Sequence, residues 1–435
     1  MKGINQLITR IQSWPDGIIS YYVAVFSLII MALYYWFLPP LMILWGLVCI
    51  IDIQKKIRSW LQIPRSHKIL YFLSVSFFLW QIIGILYSDD LHEGWRNIAL
   101  RISLILFPLV LISPGEMVQK KANHLLRLFA ICTFILLTIC IGYAIYRSIN
   151  FQNGIWTFNP HPPAYTWLNY FYGFELSIFH HPSYLSLYIL FSVFIAMEAF
   201  LDKSIRKMKR IFWLIISIIL LLSIYLLSSR GEILATIIAV PIYFLFRYKE
   251  IGINRIAGLF IIICIFVLIP ICISNPRLHY YFRTDSNVEL NNKIHRESRL
   301  AIWKSAFHLI NKNFLFGVGT GDIQNELNNE YYQSGDKDLT NVKNLNTHNQ
   351  FIEILLENGL IGLILFITFI GMMLYISISE RNIIYIMFIL IVFISFLFET
   401  MLNRLAGVSF FALFSFLLLH VKSISNPLSE QKSYA

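Results

Sequence analysis

The sequence predicts an all-α polytopic membrane protein, a fold class indicated by its composition and by the spacing of its apolar runs. Of the 435 residues, 57% are hydrophobic and only 14% are charged, against the roughly 25% of charged residues in an average soluble domain. Apolar runs close to the ~20 residues needed to cross a bilayer recur along almost the whole chain. We therefore expect one integral membrane bundle over residues 1–435, without a separable soluble domain.

About twelve segments have the length and apolar character of membrane-spanning helices. Because no small-residue cleavage site follows the first run, we expect that run to be a retained helix and not a signal peptide. The predicted helix cores cover residues 18–33, 36–51, 69–86, 98–112, 125–144, 184–200, 211–227, 233–246, 256–273, 352–376, 383–398 and 406–421.

The connecting segments alternate in charge, which predicts the topology. Basic residues cluster in the segments 52–68, 118–127, 202–210 and 246–255, and the positive-inside rule assigns such segments to the cytoplasm. The intervening segments 88–97, 146–183, 228–232 and 274–349 then face outward, and both termini are cytoplasmic. The net charge of +11 is explained by this topology, so no nucleic-acid partner is expected. All five cysteines lie inside apolar runs without metal-ligand spacing, which indicates packing residues.

The large outer loop, 274–349, separates the ninth and tenth predicted helices and has the composition of a soluble segment. Within it, SRLAIWKSAFHLI (298–310) places Leu300, Trp303, Phe307 and Ile310 at helical spacing, which predicts an amphipathic helix lying at the outer membrane surface. The glycine-rich FGVGTGD (316–322) follows and predicts a flexible turn. The less favoured alternative is that the backbone N–H groups of this segment contact a phosphate.

Three arginines are candidates for binding an anion. Arg230 lies in the very short outward loop SSRGE, where a guanidinium suits phosphate oxygens or snorkels to lipid headgroups. Arg299 begins the predicted loop helix and Arg296 lies one turn before it. From spacing alone, such residues more often form a solvated charge run.

Other polar residues occur near the outer helix ends. His180 and His181 precede Pro182, a residue favoured in a first helical turn, and their adjacency is a poor spacing for chelating a metal. A contact with substrate or the interface and capping of the following helix stay open as alternatives. Asp89 and Asp90 are either solvated loop acids or ligands of a divalent ion.

Two further charged positions lie within or beside predicted spans. Arg101 is inside a span, where a charge is a functional-site candidate by default, although the sequence does not name its partner. Glu399 and Arg404 flank the last outward turn, and mutual pairing is the simplest explanation for them.

His348 has the residue type best suited to proton transfer. It stands where the polar loop becomes the apolar helix in THNQFIEILLENGLIG (347–362). A neutral imidazole accepts a proton near pH 7, as a general base must. Capping or anchoring the following helix is the structural alternative, which periodicity leaves open.

These segments resemble the O-antigen ligase and polymerase superfamily of bacterial envelope glycosyltransferases. The resemblance is carried by SSRGEILATII (228–238), by SRLAIWKSAF with the downstream GVGTGD (298–322), and above all by THNQFIEILLENGLIG (347–362), which is similar to the family's His-Asn, Glu-x-Gly signature. HHPSYLSLYI (180–189) and FETMLNRLAGVSFFALF (398–414) are also similar. The resemblance covers the chain from about residue 70 onward and implies twelve helices with both ends inside.

The resemblance implies a reaction at the periplasmic face of the inner membrane. A glycan carried on undecaprenyl diphosphate is transferred to an acceptor hydroxyl, which in ligases belongs to the lipid A-core. By position, His348 matches the proposed base, and Arg230 and Arg299 match the arginines that hold the donor diphosphate. With arginines in that role, neither a metal nor another cofactor is expected, and the anomeric centre is expected to invert. Further candidates for substrate contacts are His181, Arg101, Arg296, Asn349 and Glu357.

We favour a ligase, with the repeat-unit polymerase and the protein O-oligosaccharyltransferase of the same superfamily as alternatives. A polymerase would use a lipid-linked repeat unit as its acceptor, and a protein O-oligosaccharyltransferase would use a serine hydroxyl. A transporter of lipid-linked glycans also offers about a dozen helices. Transporters often contain internal repeats with broken helices at matching positions, and no such repeat is visible in this sequence.

Overall fold

The chain folds into a helical bundle, and a pair of further helices packs at one end of it. The computed structural model describes residues 17–51, 53–152, 154–161, 169–251, 286–334 and 345–421. Within those ranges the only sheet is a two-stranded hairpin, so the all-α membrane class is confirmed. The helices are α1 (Ile18–Leu33), α2 (Leu38–Ile51), α3 (Ile53–Gln62), α4 (Arg65–Ile85), α5 (Leu91–Arg101), α6 (Ser103–Leu111), α7 (Glu116–Lys120), α8 (Ala122–Ser148), α9 (Gly173–Leu176), α10 (Pro182–Leu201), α11 (Lys207–Leu227), α12 (Arg230–Ile251), α13 (Ser286–Lys312), α14 (Ile323–Gln333), α15 (Gln350–Ser379), α16 (Ile383–Phe396) and α17 (Leu405–Leu417).

Seven helical segments in the described ranges are long and apolar enough to cross a membrane, namely Arg65–Ile85, Leu91–Leu111, Ala122–Ser148, Pro182–Leu201, Lys207–Leu227, Arg230–Tyr248 and Gln350–Ser379. Four shorter apolar helical segments cover Ile18–Leu33, Tyr35–Val48, Ile383–Phe396 and Leu405–His420. Together they coincide with every predicted segment except 256–273, which lies outside the described residues. The protein is therefore a multi-pass membrane protein, while the count of twelve spans stays a prediction.

The core of the bundle is built around α10 and α17. The ring of Tyr188 stacks on that of Phe410 with centroids 4.7 Å apart, and Phe191 meets Phe414 edge to face at 4.9 Å. The Tyr188 hydroxyl donates to the carbonyl oxygen of Ala406 at 2.8 Å. Aromatic side chains bury a large area in specific geometries, and a buried phenol needs such an acceptor. These contacts fix the two helices against each other.

Several segments that the sequence predicts to be loops are helical. The basic segment 52–68 contains α3, and α5 begins at Leu91, inside the predicted loop 88–97. Helix α12 continues to Ile251, past the predicted end of its span. Arg247 explains that extension, because its Nε donates to Oε1 of Glu198 on α10 at 2.9 Å. A charge on a helix is tolerated at this depth when it is paired.

The segment 146–183, predicted to be a loop, contains strands β1 (Ile149–Gln152) and β2 (Ile155–Phe158). They pair antiparallel, with Ile149 opposite Phe158. Such a short pair is marginal alone, and it directly continues the C-terminal end of α8.

A small second core joins α13 and α14 to α15. Its buried side chains are Ile302, Ala306, Leu309, Ile310, Ile323, Leu327, Tyr331 and Leu356. The four predicted apolar positions of α13 are divided: Trp303 and Ile310 pack in this core, beside Ile302 and Leu309, whereas Leu300 and Phe307 are exposed. The helix therefore packs against protein along one face. The first part of the predicted loop 274–349 lies outside the described residues, and the loop boundary stays a prediction.

Helix α15 is kinked at Gly359, where the backbone has φ +66° and ψ −170°. The turn after α13 fits into this kink: Leu360 N donates to Phe314 O at 2.9 Å, and Val318 N donates to Leu356 O at 2.8 Å. A Cβ at Gly359 would lie 2.3 Å from Leu315 O, so only glycine permits this approach. The glycine-rich segment is therefore a docked turn and not the flexible one predicted.

Candidate functional site

His348 lies at the junction between the loop and α15, in a left-handed backbone conformation with φ +49°. A positive φ is uncommon for a residue with a side chain and costs free energy. The following residue explains the junction, because the side chain of Asn349 caps α15 by accepting from the N–H groups of Phe351 and Ile352 at 3.0 and 3.1 Å. The helix cap is thus supplied by Asn349, which leaves the His348 imidazole available for other contacts.

Thr347, directly before His348, is held on both sides. Its hydroxyl donates to Oε2 of Glu353 at 2.6 Å and its N–H donates to the same oxygen at 3.2 Å. Its carbonyl oxygen accepts from the indole Nε1 of Trp303, on α13, at 2.9 Å. The loop helix and the buried face of α15 therefore both determine where the His348 backbone lies.

The imidazole of His348 faces Glu399, in the turn between α16 and α17. His348 Nδ1 and Glu399 Oε2 are 3.4 Å apart, and both side chains are partly exposed. The other carboxylate oxygen accepts from the Ser183 hydroxyl at 3.4 Å. This arrangement corrects the predicted pairing of Glu399 with Arg404. Local sequence patterns do not indicate this contact, because 51 positions separate the two residues.

Positively charged groups from several elements act on the Glu399 carboxylate. Burial raises the pKa of its carboxyl, but the hydrogen bond and charge of His348 and the charges of His181 and Arg299 outweigh burial, so the pKa lies below its ordinary value. An opposite charge within about 4–6 Å favours the ionised form. His348 therefore contacts this carboxylate directly, and the charge of Arg299 also acts on it.

Arg230 begins α12 at the same end of the bundle. The next residue, Gly231, lies against Phe398, since a Cβ there would be 3.0 Å from the Phe398 Cβ. Glu232, one residue further, accepts from the Ser395 hydroxyl at 2.6 Å. These contacts tie the start of α12 to the end of α16, beside the turn that carries Glu399. The Arg230 side chain itself is exposed.

Comparison with known protein families identifies this region. Residues 215–367 match a family model described as O-Antigen ligase. These residues form a domain of the O-antigen ligase superfamily. The matched segment contains Arg230, Arg299 and His348, and it ends before Glu399. No curated protein matches the chain significantly.

The match covers about a third of the chain and supports a membrane glycosyltransferase of the ligase and polymerase type. The resemblance stated from the motifs is thereby confirmed at the level of the family. The roles of individual residues in the reaction stay predictions. Their positions in the structure are described below.

Two predicted substrate contacts lie in a buried network below the His348 junction of this O-antigen ligase domain. Arg101 Nη1 contacts Glu357 Oε1 at 2.5 Å and Gln81 Oε1 at 3.1 Å, while Nη2 donates to Asn403 Oδ1 at 2.7 Å. Asn403 in turn donates to Glu353 Oε1 at 2.7 Å. Because Arg101 and Glu357 are 4% and 0% exposed, their charged groups face protein. Their contacts link α4, α5 and α15.

The histidine pair separates into two environments. His180 is buried, with Nε2 2.9 Å from the carbonyl oxygen of Ala32, and burial lowers its pKa to about 4. It is therefore neutral at physiological pH. Neutral His181 caps α10, because Nδ1 accepts from Ser183 N at 3.3 Å, and protonated His181 contributes charge that lowers the pKa of Glu399. His181 thus combines the capping and the site-facing alternatives.

The remaining candidates lie elsewhere or outside the described part. Asp90 caps α5 by accepting from Glu93 N at 2.9 Å, and the N–H groups of Asp89 and Asp90 both donate to the Asp322 carboxylate at 2.8 Å. Within the described ranges, no three His, Cys, Asp or Glu side chains are grouped to hold a metal ion. The Arg296 side chain lies outside the described residues.

The glycine-rich turn lacks the geometry of a phosphate cradle. Its Val318 and Gly319 N–H groups donate to the carbonyl oxygens of Leu356 and Glu357 at 2.8 and 3.0 Å. The N–H of Gly321 donates to the Ser88 hydroxyl at 3.0 Å. Because these donors already have protein acceptors, the turn supports the site by fixing the end of α13 against α15.

Proposed function

We propose that this member of the O-antigen ligase superfamily transfers a glycan from undecaprenyl diphosphate to an acceptor hydroxyl. We place the reaction at the periplasmic face of the bacterial inner membrane, as the alternating loop charges predict. The observation that carries the proposal is the 3.4 Å contact of His348, in the family-matched segment, with Glu399, a carboxylate on which the charge of Arg299 also acts. An imidazole beside a fixed carboxylate and an arginine supplies both a base and an anion-binding group.

In this proposal His348 takes the proton of the attacking hydroxyl. With Nδ1 facing the Glu399 carboxylate, the protonated nitrogen is Nδ1 and the free lone pair is on Nε2, as in other carboxylate–histidine pairs. A distance of 3.4 Å is longer than the 2.7–2.9 Å of a strong charge-assisted hydrogen bond. Catalytic hydrogen bonds are often long before substrate binds. Glu399 also stabilises the imidazolium that forms.

The bond changes balance in a single displacement. The acceptor oxygen forms a bond to the anomeric carbon as its proton moves to Nε2 of His348. The bond from the anomeric carbon to the diphosphate oxygen breaks, and undecaprenyl diphosphate leaves with the electron pair. Attack opposite the leaving group inverts the anomeric centre; a product linkage with retained configuration would contradict this mechanism.

Arg230 and Arg299 bind the leaving diphosphate in this scheme. Negative charge grows on the diphosphate oxygens as the glycosidic bond breaks, and fixed guanidinium groups stabilise that charge more strongly in the transition state than in the ground state. Because two guanidinium groups supply this stabilisation, the mechanism requires neither a divalent ion nor a cofactor.

We infer that the acceptor is the lipid A-core, which would make the protein a ligase. Membrane lipids surround the helical bundle. The experiment is a deletion strain whose glycolipids are separated by size on a gel. Loss of a ligase leaves full-length glycan chains on undecaprenyl diphosphate, with none on the lipid A-core. Accumulation of single repeat units on the carrier would instead assign a polymerase, and loss of glycan from protein serines would assign a protein O-oligosaccharyltransferase.

A further inference from the structure

Three consecutive apolar side chains between α13 and the glycine-rich turn are exposed. Phe314, Leu315 and Phe316 have exposed fractions of 47%, 54% and 52%. They lie in the same loop region as the second core, whose apolar side chains are buried. Three adjacent exposed apolar side chains at one position need a partner or an apolar solvent.

The backbone of this triplet is fixed to two membrane helices. The carbonyl oxygen of Phe314 accepts from Leu360 N at 2.9 Å, and that of Phe316 accepts from the Tyr87 hydroxyl at 2.6 Å. Although the backbone is held on the helix side, about half of each side chain remains exposed.

The lengths of both helices place the triplet at a membrane boundary. From Leu360 to Ser379, α15 has about 20 residues, which at 1.5 Å per residue span about 30 Å. Helix α4 has 21 residues and ends at Ile85, two positions before Tyr87. The hydrocarbon core of a bilayer is also ~30 Å thick. At the opposite ends of these helices, the side chains of His67 and Glu380 are hydrogen-bonded at 2.7 Å.

The triplet also continues the surface that these helices present to lipid. Leu86 at the end of α4 is 82% exposed, and Ile364, just beyond the kink of α15, is 53% exposed. The ring of Phe316 stacks on Trp80 of α4 with centroids 6.0 Å apart. An apolar surface that runs from two spanning helices onto the triplet indicates the same environment for both.

We propose that Phe314, Leu315 and Phe316 form an interfacial anchor that inserts into the bilayer at the boundary between hydrocarbon and headgroups, at the end of the bundle that carries His348. The partner is the lipid surface itself. Lys312, whose side chain is 52% exposed, then lies at headgroup level, as basic residues beside interfacial apolar groups do. The anchor holds the end of α13, the helix that carries Arg299 and Trp303, against the membrane.

Spin-label depth measurement tests the anchor in the full-length protein reconstituted into phospholipid vesicles. Nitroxide labels on Leu315→Cys and, separately, on Phe314→Cys are compared by their collision rates with oxygen and with a water-soluble nickel complex. Ile364→Cys gives the lipid reference, and Asn329→Cys, exposed on α14, gives the aqueous reference. Protein without an added cysteine gives the background labelling of the native thiols.

We expect both triplet labels to collide more often with oxygen than with the nickel complex, at a depth shallower than Ile364. A nickel-to-oxygen ratio that equals the Asn329 reference at either triplet position would overturn the anchor. Because the measurement needs no transfer reaction, its outcome is independent of the proposed glycosyltransferase chemistry.

Discussion

The Nδ1 atom of His348 lies 3.4 Å from Oε2 of Glu399, across a turn that joins the last two described membrane helices. The two residues come from opposite sides of the site, and the charge of Arg299 acts on the same carboxylate. A histidine that only capped a helix would not need such a partner, and Asn349 already supplies the cap. The pairing therefore favours the chemical role of His348.

Glu399→Gln is expected to slow transfer and to move the acid limb of the kcat/KM profile to lower pH. The pKa of Glu399 is lowered in the folded protein, so its pairing is complete above the ordinary Glu value of ~4.3 and is lost only as pH falls through the lowered pKa. Glu399 is therefore anionic at neutral pH. Removing that anion disfavours the protonated imidazole, which is inactive as a base.

The control for this profile is Glu330→Gln, which alters the second glutamate–histidine pair of the loop, Glu330 Oε1 with His308 Nδ1 at 2.6 Å. That variant should keep the acid limb of the wild-type protein. An unchanged acid limb in Glu399→Gln would remove Glu399 from the base assembly.

Arg230→Lys tests the contact with the donor diphosphate. Lysine keeps the charge but loses the planar fork that contacts two phosphate oxygens at once, so we expect kcat/KM to fall at least about tenfold, or about 1.4 kcal/mol in transition-state stabilisation. Transfer is measured with purified protein and a defined lipid-linked donor. The matched control is Arg96→Lys, an exposed arginine paired with Glu93, and equal rates in the two variants would contradict the role of Arg230.

Glu353→Gln tests whether the buried face of α15 positions His348. The Glu353 carboxylate accepts three hydrogen bonds, from Thr347 N, Thr347 Oγ1 and Asn403 Nδ2. An amide in its place turns one acceptor into a donor, and each unsatisfied buried group costs about 1–3 kcal/mol. We expect a lower thermal midpoint and a lower kcat with a nearly unchanged KM for the donor. Glu326→Gln on α14 is the control, and a stability loss with normal kcat would show that Glu353 is purely structural.

The sequence predicted the membrane helices well because spanning length and apolar composition are local properties. Arg230, Arg299 and His348 could be proposed from the sequence because they lie in contiguous motifs, and their roles stay predictions. It could not predict the His348–Glu399 contact or the partners of Arg101, which depend on packing between residues far apart in the chain. On α13 the sequence predicted Trp303 and Ile310 as apolar contacts, but it missed Ile302 and Leu309, because the second core that buries them is formed by elements distant in the chain.

Gly359→Ala is expected to undo the docking of the turn on α15. The backbone at Gly359 lies where side chains cost about 1–3 kcal/mol, and a Cβ would also lie 2.3 Å from Leu315 O. We expect a lower thermal midpoint and reduced transfer. Gly371→Ala in the same helix has nothing within 4 Å of the added Cβ and should be neutral or slightly stabilising, since alanine favours helix. Equal midpoints in the two variants would contradict a required kink.

The transfer rate of His348→Ala is the most direct test of His348 as the general base. General bases contribute about 10²–10⁴-fold to rate, so we expect transfer to fall by at least a hundredfold while the purified variant keeps the wild-type thermal midpoint and donor binding. His308→Ala, which removes the other glutamate-paired histidine of the loop, should transfer at nearly the wild-type rate. Transfer at the wild-type rate by His348→Ala would contradict the assignment of His348 as the base.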